Sequence, residues 1–276
     1  MVTTAMPSDA AIARAQSAAY GLIAHGLRYP DRALARLLAN PAHWSDWPAT
    51  MKGMDAKTGE RLVRVRSELR RVAQGMEAGE SQGLGALQDA YAALFGHAVR
   101  GQCPPYELEY GSSEIMQRAS ELADLSGFYA AWGLEIVARD GDRPDHAMVE
   151  CEFMGVLCAK EAYASDQGEG DLVDAARHTQ RQFLKDHLGR WFPAFARRVE
   201  KADSGFYNAL VGFAGAFIDS ECRRHELLVG PALLELRPID PDQEMTISCG
   251  GTDLCAPGAG EELTQLNIES SRVPVS

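Results

Sequence analysis

Residues 143–164 read RPDHAMVECEFMGVLCAKEAYA, and this stretch decides the fold class. Its apolar residues (Met148, Cys151, Phe153, Met154, Val156, Leu157) fall nearly all round a helical wheel. A helix that is apolar on every side must be surrounded by other elements, so this one is expected at the centre of a helical body. Pro144 reads as part of its first turn, where a missing N–H costs nothing. Asp166 to Gly170 read as its end.

Working outward, the same 3.6-residue periodicity recurs and strand-like alternation is almost absent. Helices are expected over 9–28, stopped by Tyr29-Pro30, and from a cap at Asp31 to about Asn40. A basic amphipathic helix is expected over 57–78, with Leu62, Val65, Leu69 and Val72 on one stripe. Another is expected over 84–96, with Leu87, Tyr91, Leu94 and Phe95 inward. Ser112 or Ser113 caps the next, which ends at Trp132-Gly133, where glycine suits a left-handed terminus. Asp140-Gly141-Asp142 reads as a turn, and three further helices are expected over 171–188, 190–201 and 204–224. The fold class is all-α.

Composition narrows the function. Nearly half of the 276 residues are hydrophobic and a quarter charged, which is ordinary for a globular chain able to bury a core. Six cysteines at 103, 151, 158, 222, 249 and 255 form no CxxC pair and no zinc-finger spacing. Most read as small buried apolar residues in a reducing compartment. No basic residue precedes Arg14, and Arg14, Gln16 and His25 break the first apolar stretch. That stretch is neither signal peptide nor membrane span, so a cytoplasmic location without stable membrane insertion is expected.

The net charge of −12 argues against nucleic acid as a partner. The charge is uneven: residues 100–180 hold sixteen acids against six bases, whereas 51–71 and 181–201 are each net +4. Residues 240–276 are net −6 and contain Pro241, Gly250-Gly251, Pro257-Gly258 and Gly260. That composition reads as an irregular tail.

Phosphate loops, dinucleotide fingerprints, nucleophile elbows and HExxH are missing, and four constellations remain. His146 and Glu150, four apart, share a helix face as a metal or acid–base pair would. Equally, Asp145 and Glu150 would complement a helix N-terminus while His146 makes a local hydrogen bond. The loop Cys103-Pro104-Pro105-Tyr106-Glu107-Leu108-Glu109-Tyr110 either presents a peptide-contacting surface or is a plain connection. Phe183-Leu184, His187-Leu188, Trp191-Phe192-Pro193 and Phe195 read as core. Cys249 and Cys255 alone make no metal site.

Taken in order, these fragments resemble one family. Tyr91-Ala92-Ala93-Leu94-Phe95 followed by Pro104-Pro105-Tyr106-Glu107 resembles the "YxxLF…PPYE" section of the redox-enzyme maturation chaperones, the TorD/DmsD/NarJ group. Leu122-Ala123-Asp124, Gly127-Phe128-Tyr129 and Gly133-Leu134 resemble its "LADxxGFYxxxGL". Arg143-Pro144-Asp145-His146 with Glu150, Glu152-Phe153-Met154 and Leu157 resembles "RPDHxxxELEFMxxL". Phe183-Leu184 through Phe195 resembles "FLxxHLxxWxPxF". Cys151 departs from the leucine more usual there, and the stretch after about 240 exceeds the usual length. The resemblance is greatest to the branch accompanying type II dimethyl-sulfoxide-reductase-family enzymes, those acting on ethylbenzene, dimethyl sulfide, chlorate and selenate.

The resemblance implies a single helical domain of about nine helices in two hinged halves over 1–238; it does not account for 239–276, which composition reads as an acidic tail. It implies a non-enzymatic chaperone with no cofactor or metal of its own. Its partner would be the precursor of a molybdoenzyme catalytic subunit, held until the molybdopterin cofactor is inserted and including a twin-arginine signal peptide. The peptide-contacting region implied is Tyr91, Phe95, Pro104, Pro105, Tyr106, Glu107, Pro144, Asp145 and His146. A homodimer by helix exchange is compatible with such a fold. The competing readings are a metal-dependent helical hydrolase using His146 and Glu150, a permanent structural subunit of an oxidoreductase, and weak guanine-nucleotide binding, which no phosphate loop supports.

Overall fold

The computed structural model describes residues 8–40, 55–96, 100–111, 115–136, 143–202 and 205–238, with only the backbone of 115–117. Among them are nine α-helices: α1 (Asp9–Gly26), α2 (Arg32–Ala39), α3 (Ala56–Ala78), α4 (Glu80–Phe95), α5 (Ile115–Ala131), α6 (Ala147–Gln167), α7 (Gly170–Phe183), α8 (Gly189–Ala202) and α9 (Phe206–Arg224). The described residues form no strand, only two isolated antiparallel bridges, Tyr106 with His146 and Tyr110 with Leu236.

Short polar side chains start the helices by accepting otherwise orphaned N–H groups. Ser8 Oγ takes the Ala11 N–H, Asp31 that of Leu34 at 2.7 Å, and Asp55 that of Thr58 at 2.8 Å. Glycine ends α5 as its position predicted: Gly133 has φ +71°, a conformation other residues adopt only with strain.

The all-round apolar helix, α6, is central. α1 packs along it, α7 lies against it, and α9 packs against α3 and α8. The first half of the chain therefore shares one core with the second. Leu62, Val65 and Leu69 of α3 are buried in the stripe that periodicity foretold. Phe183, Leu184, Leu188, Trp191, Phe192 and Phe195 are all at or below 1% exposure, as the core reading requires.

Two boundaries differ from expectation. The central helix begins at Ala147, because residues 143–146 close a turn, His146 N–H to Arg143 O at 3.1 Å, that is bonded to the Pro104–Glu107 loop. Pro144 thus lies in a turn before the helix. The helix expected over 171–188 stops at Phe183, and Leu184–Leu188 form one wider π-helical turn leading into α8. The expected caps at Ser112 or Ser113, the Asp140–Asp142 turn, Cys249, Cys255 and the expected tail over 239–276 lie outside the described residues.

Candidate functional site

Tandem prolines have no N–H to offer, so the 103–110 loop must satisfy its remaining backbone groups elsewhere. It does so against two neighbours. Cys103 N–H donates to the carbonyl of Leu94 at the end of α4, at 2.8 Å. Glu107 N–H donates to Asp145 O and Ala147 N–H donates to Pro105 O, both at 2.8 Å. Loop and pre-helix segment are thereby stitched side by side, with Tyr106 edge-on to His146, ring centroids 4.9 Å apart.

Charged side chains complete the stitching. Asp145 accepts from Arg143 through both carboxylate oxygens, at 2.9 and 2.7 Å, and also from the Leu108 N–H at 3.1 Å. A planar guanidinium matches a carboxylate in this forked geometry. Arg143 also lies 4.5 Å over the Tyr106 ring. Burial pushes the Asp145 carboxyl up, and Arg143 and the Leu108 N–H only partly oppose it.

Glu107 is fully buried and ties the loop to α8 and the π-turn. Its carboxylate takes Nδ1 of His187 at 3.0 Å on one oxygen and the Arg190 guanidinium on the other. His187 Nε2 faces Asp124 of α5 at 3.2 Å. The wide π-turn aims His187 between these two carboxylates, a use of π-turns that recurs at functional positions.

Glu150, one helical turn into α6, is also fully buried. One oxygen accepts the Trp191 Nε1–H at 3.1 Å and the other has no hydrogen bond. Burial first, and the nearby Glu107 charge second, push its carboxyl well above the ordinary range, which favours the protonated form. His146 caps α6, its Nδ1 accepting the Met148 N–H at 3.0 Å. Burial, helped by the Arg143 charge, lowers its imidazole to about 3, so it is neutral.

The far side of the loop is closed by a segment that sequence reading left unassigned. Gly111 N–H donates to Glu235 O, and Arg237 N–H donates to Glu109 O. Buried Arg237 reaches Tyr110 O at 3.2 Å and Glu121 at 3.0 Å, while Arg100 donates to Arg237 O at 2.7 Å.

A sequence profile described as "Nitrate reductase delta subunit" matches residues 53–197, which include the loop, the pre-helix segment, the π-turn and Arg190. The chain belongs to that family. One relative is the perchlorate reductase assembly chaperone protein of Dechloromonas aromatica (strain RCB), 28% identical over 217 residues, 75% of this chain and 88% of that protein. The selenate reductase assembly chaperone protein of Thauera selenatis is 35% identical over 85 residues, 31% of this chain and 43% of that protein. Chaperone protein TorD of Vibrio cholerae serotype O1 (strain ATCC 39315 / El Tor Inaba N16961) is 27% identical over 135 residues, 48% of this chain and 58% of that protein. The reductase relatives agree with the branch read from the motifs.

The nine residues implied by the resemblance to the redox-enzyme maturation chaperones divide by exposure. Pro104, Pro105, Glu107, Asp145 and His146 are buried in the stitched loop. Tyr91 and Phe95 lie in the core beneath it, packed edge-on to each other and to Tyr207. Tyr106 and Pro144 are half-exposed and form its outer face. The structure thus brings seven of them together at one seam and sets Tyr91 and Phe95 behind it.

The local hydrogen bond foreseen for His146 is present, but Asp145 and Glu150 do not serve the helix terminus as that reading had it. Asp145 turns to Arg143 and the loop, while Glu150 turns inward to Trp191. Among the described residues no group of three or more His, Cys, Asp and Glu is arranged to hold a metal. Among the described residues no such group surrounds His146 and Glu150, the pair that the hydrolase alternative used. Sequence reading also passed over Arg190, Arg143 and Arg237 as site residues. A lone arginine has no spacing signature, and only the position of the carboxylates identifies its role.

Among the described residues no helix is long and apolar enough to cross a membrane. Cys103, Cys151, Cys158 and Cys222 are buried free thiols, and burial pushes that of Cys222 up to about 12.

Proposed function

We propose that this chain is an assembly chaperone for a molybdenum-containing reductase. In this reading it works in the cytoplasm without catalysing a reaction. It holds the catalytic subunit's precursor, twin-arginine signal peptide included, and supports cofactor insertion and proofreading before export. The observation that carries the reading is the match to a reductase assembly chaperone over most of both chains.

The geometry refines how a leader would be held. Glu107 and Asp145 already hold Arg190 and Arg143, so a client arginine must exchange with one of these or bind elsewhere. Asp124, linked to Glu107 through His187, has a side chain 63% exposed and offers such a place. Tyr106 and Pro144 supply adjoining apolar surface. The leader is thus expected to lie over Tyr106, Pro144 and Asp124, with the buried residues positioning that face.

Calorimetry with the client's leader peptide tests this, comparing the native peptide with one whose arginine pair is changed to glutamine. Weaker binding of the glutamine peptide, and weakening of the native one as salt screens charges beyond roughly 8 Å, is expected. Equal affinities would remove arginine recognition. The family description itself contains the word "subunit", which favours a second reading, a permanent component of the oxidoreductase. Co-purification with the mature enzyme would select that reading; absence from it selects the chaperone.

A further inference from the structure

The two basic stretches, 51–71 and 181–201, are over a hundred residues apart; the second gives His187, Arg190 and Trp191 to the seam, and its last turn, with Arg197, Arg198 and Lys201, lies outside it. Folding brings their ends together. Lys57 and Arg61 of α3 face Arg197 of α8 across a groove of about 340 Å³. Arg197 also lines an adjoining groove of about 480 Å³, with Arg198, Lys201 and Leu233. Ala232 lines both grooves, so they form one continuous surface.

This surface combines cations with a displayed leucine. Arg61 is paired with Glu200 at 2.8 Å, and Asp219 with Arg223. Glu235 also lines the second groove. Lys57, Arg197 and Lys201 have no ion-pair partner among the described residues. Leu233, which lines the second groove, is 72% exposed.

Leu233 does not lie on a frayed end. Pro193 has no N–H to donate to Gly189 O, and Gly230 N–H takes that carbonyl at 2.8 Å. Gly230 approaches so closely that a Cβ there would stand 1.9 Å from Arg190 O, so glycine is required. Downstream, the Gly111 and Arg237 bonds fix the other end. The segment between these anchors holds Leu233 outward beside the cations.

We propose that this Arg197–Lys201–Leu233 surface docks an acidic, leucine-bearing segment of the client's catalytic subunit, outside its leader. The proposal rests on the chaperone reading. Charge complementarity selects an acidic partner, because Lys57, Arg197 and Lys201 have no ion-pair partner among the described residues of a chain whose net charge is −12. The apolar part selects protein over nucleic acid, which has no use for Leu233, and the chain's overall negative charge repels a polyanion.

The test uses the full-length chain and two probes, the catalytic subunit produced without its leader and the leader peptide alone. Arg197→Glu/Lys201→Glu, and separately Leu233→Asp, are each expected to weaken subunit binding by about tenfold or more, with leader affinity unchanged. Subunit binding by the wild type should also weaken as salt is raised. Thermal melts establish that each variant is folded; Lys57→Glu/Lys201→Glu replaces the first if it is not. Unchanged subunit affinity in folded variants overturns the proposal. So does duplex DNA binding, or concentration-dependent self-association, that these variants abolish while subunit binding persists. A wild type that binds the leader but not the subunit overturns this surface alone, whereas one that binds neither overturns the chaperone reading with it.

Discussion

Replacing Glu150 by glutamine should make the protein more stable at neutral pH, although it removes a buried group of the seam. The carboxyl is fully buried, has one neutral donor in Trp191, lacks a partner on its second oxygen and feels the Glu107 charge. Its folded-state proton is therefore retained after the unfolded chain, titrating near the ordinary 4.5, has released its own. The sign follows: this group's contribution is fully present below about pH 4.5 and is lost as pH rises toward the folded value. The slope is at most about 1.4 kcal/mol per pH unit, hence up to roughly 3 kcal/mol between pH 5 and 7. For a body of this size that corresponds to about 6–12 °C in Tm. Glutamine has the shape of the protonated acid but no proton to lose, so the variant should match the wild type near pH 5 and gain on it up to pH 7. Thermal melts of both proteins across that range provide the measurement, and the other titrating groups cancel in the difference. Parallel Tm–pH curves would refute the reasoning, showing that Glu150 is ionised in the fold and balanced by Arg190.

Other substitutions carry equally definite outcomes. His146 should show the opposite slope: lowered to about 3 against about 6.5 unfolded, it favours the fold above about pH 6.5 and less so as pH falls toward 3. His146→Gln should flatten that acid limb in pH-dependent melts while costing about 0.5–2 kcal/mol through the altered cap. Asp145→Ala should destabilise by about 2–4 kcal/mol, because it strands a part-buried Arg143 and the Leu108 N–H. Asp145→Asn should cost less, and client pull-down with folded Asp145→Asn separates a binding role from a positioning one. Truncation after Pro238 is expected to leave circular dichroism and Tm nearly unchanged, as the glycine- and proline-containing composition of 239–276 implies. A drop of several degrees would sink that boundary.

Much of the helical body was legible in sequence because helix formation is local. The stripe Leu62–Val65–Leu69, the aspartate caps and the all-round apolar 147–164 stretch each encode their own burial within a few residues. The errors fell where a distant segment competed for backbone bonds. Pro144 has the right residue type for a helix start, yet the loop's Pro105 carbonyl and Glu107 N–H hold this stretch as a turn and delay the helix to Ala147. The π-turn that aims His187 likewise joins two segments read as separate regular helices.

For the site, sequence motifs located the two segments that matter, 103–110 and 143–150, but not their charge partners. Arg190 lies 83 positions after Glu107, and Arg237 lies 116 after Glu121. No periodicity or spacing relates residues so far apart. Sequence by itself determined the helices, the family resemblance and the two segments that meet at the seam, because these depend on local hydrogen bonding, apolar patterning and short motifs. Only tertiary structure decided which carboxylates are occupied, which is neutral and which residues face outward. An ionisable group's state is set by the charges, donors and water within a few ångströms, and the fold alone determines these.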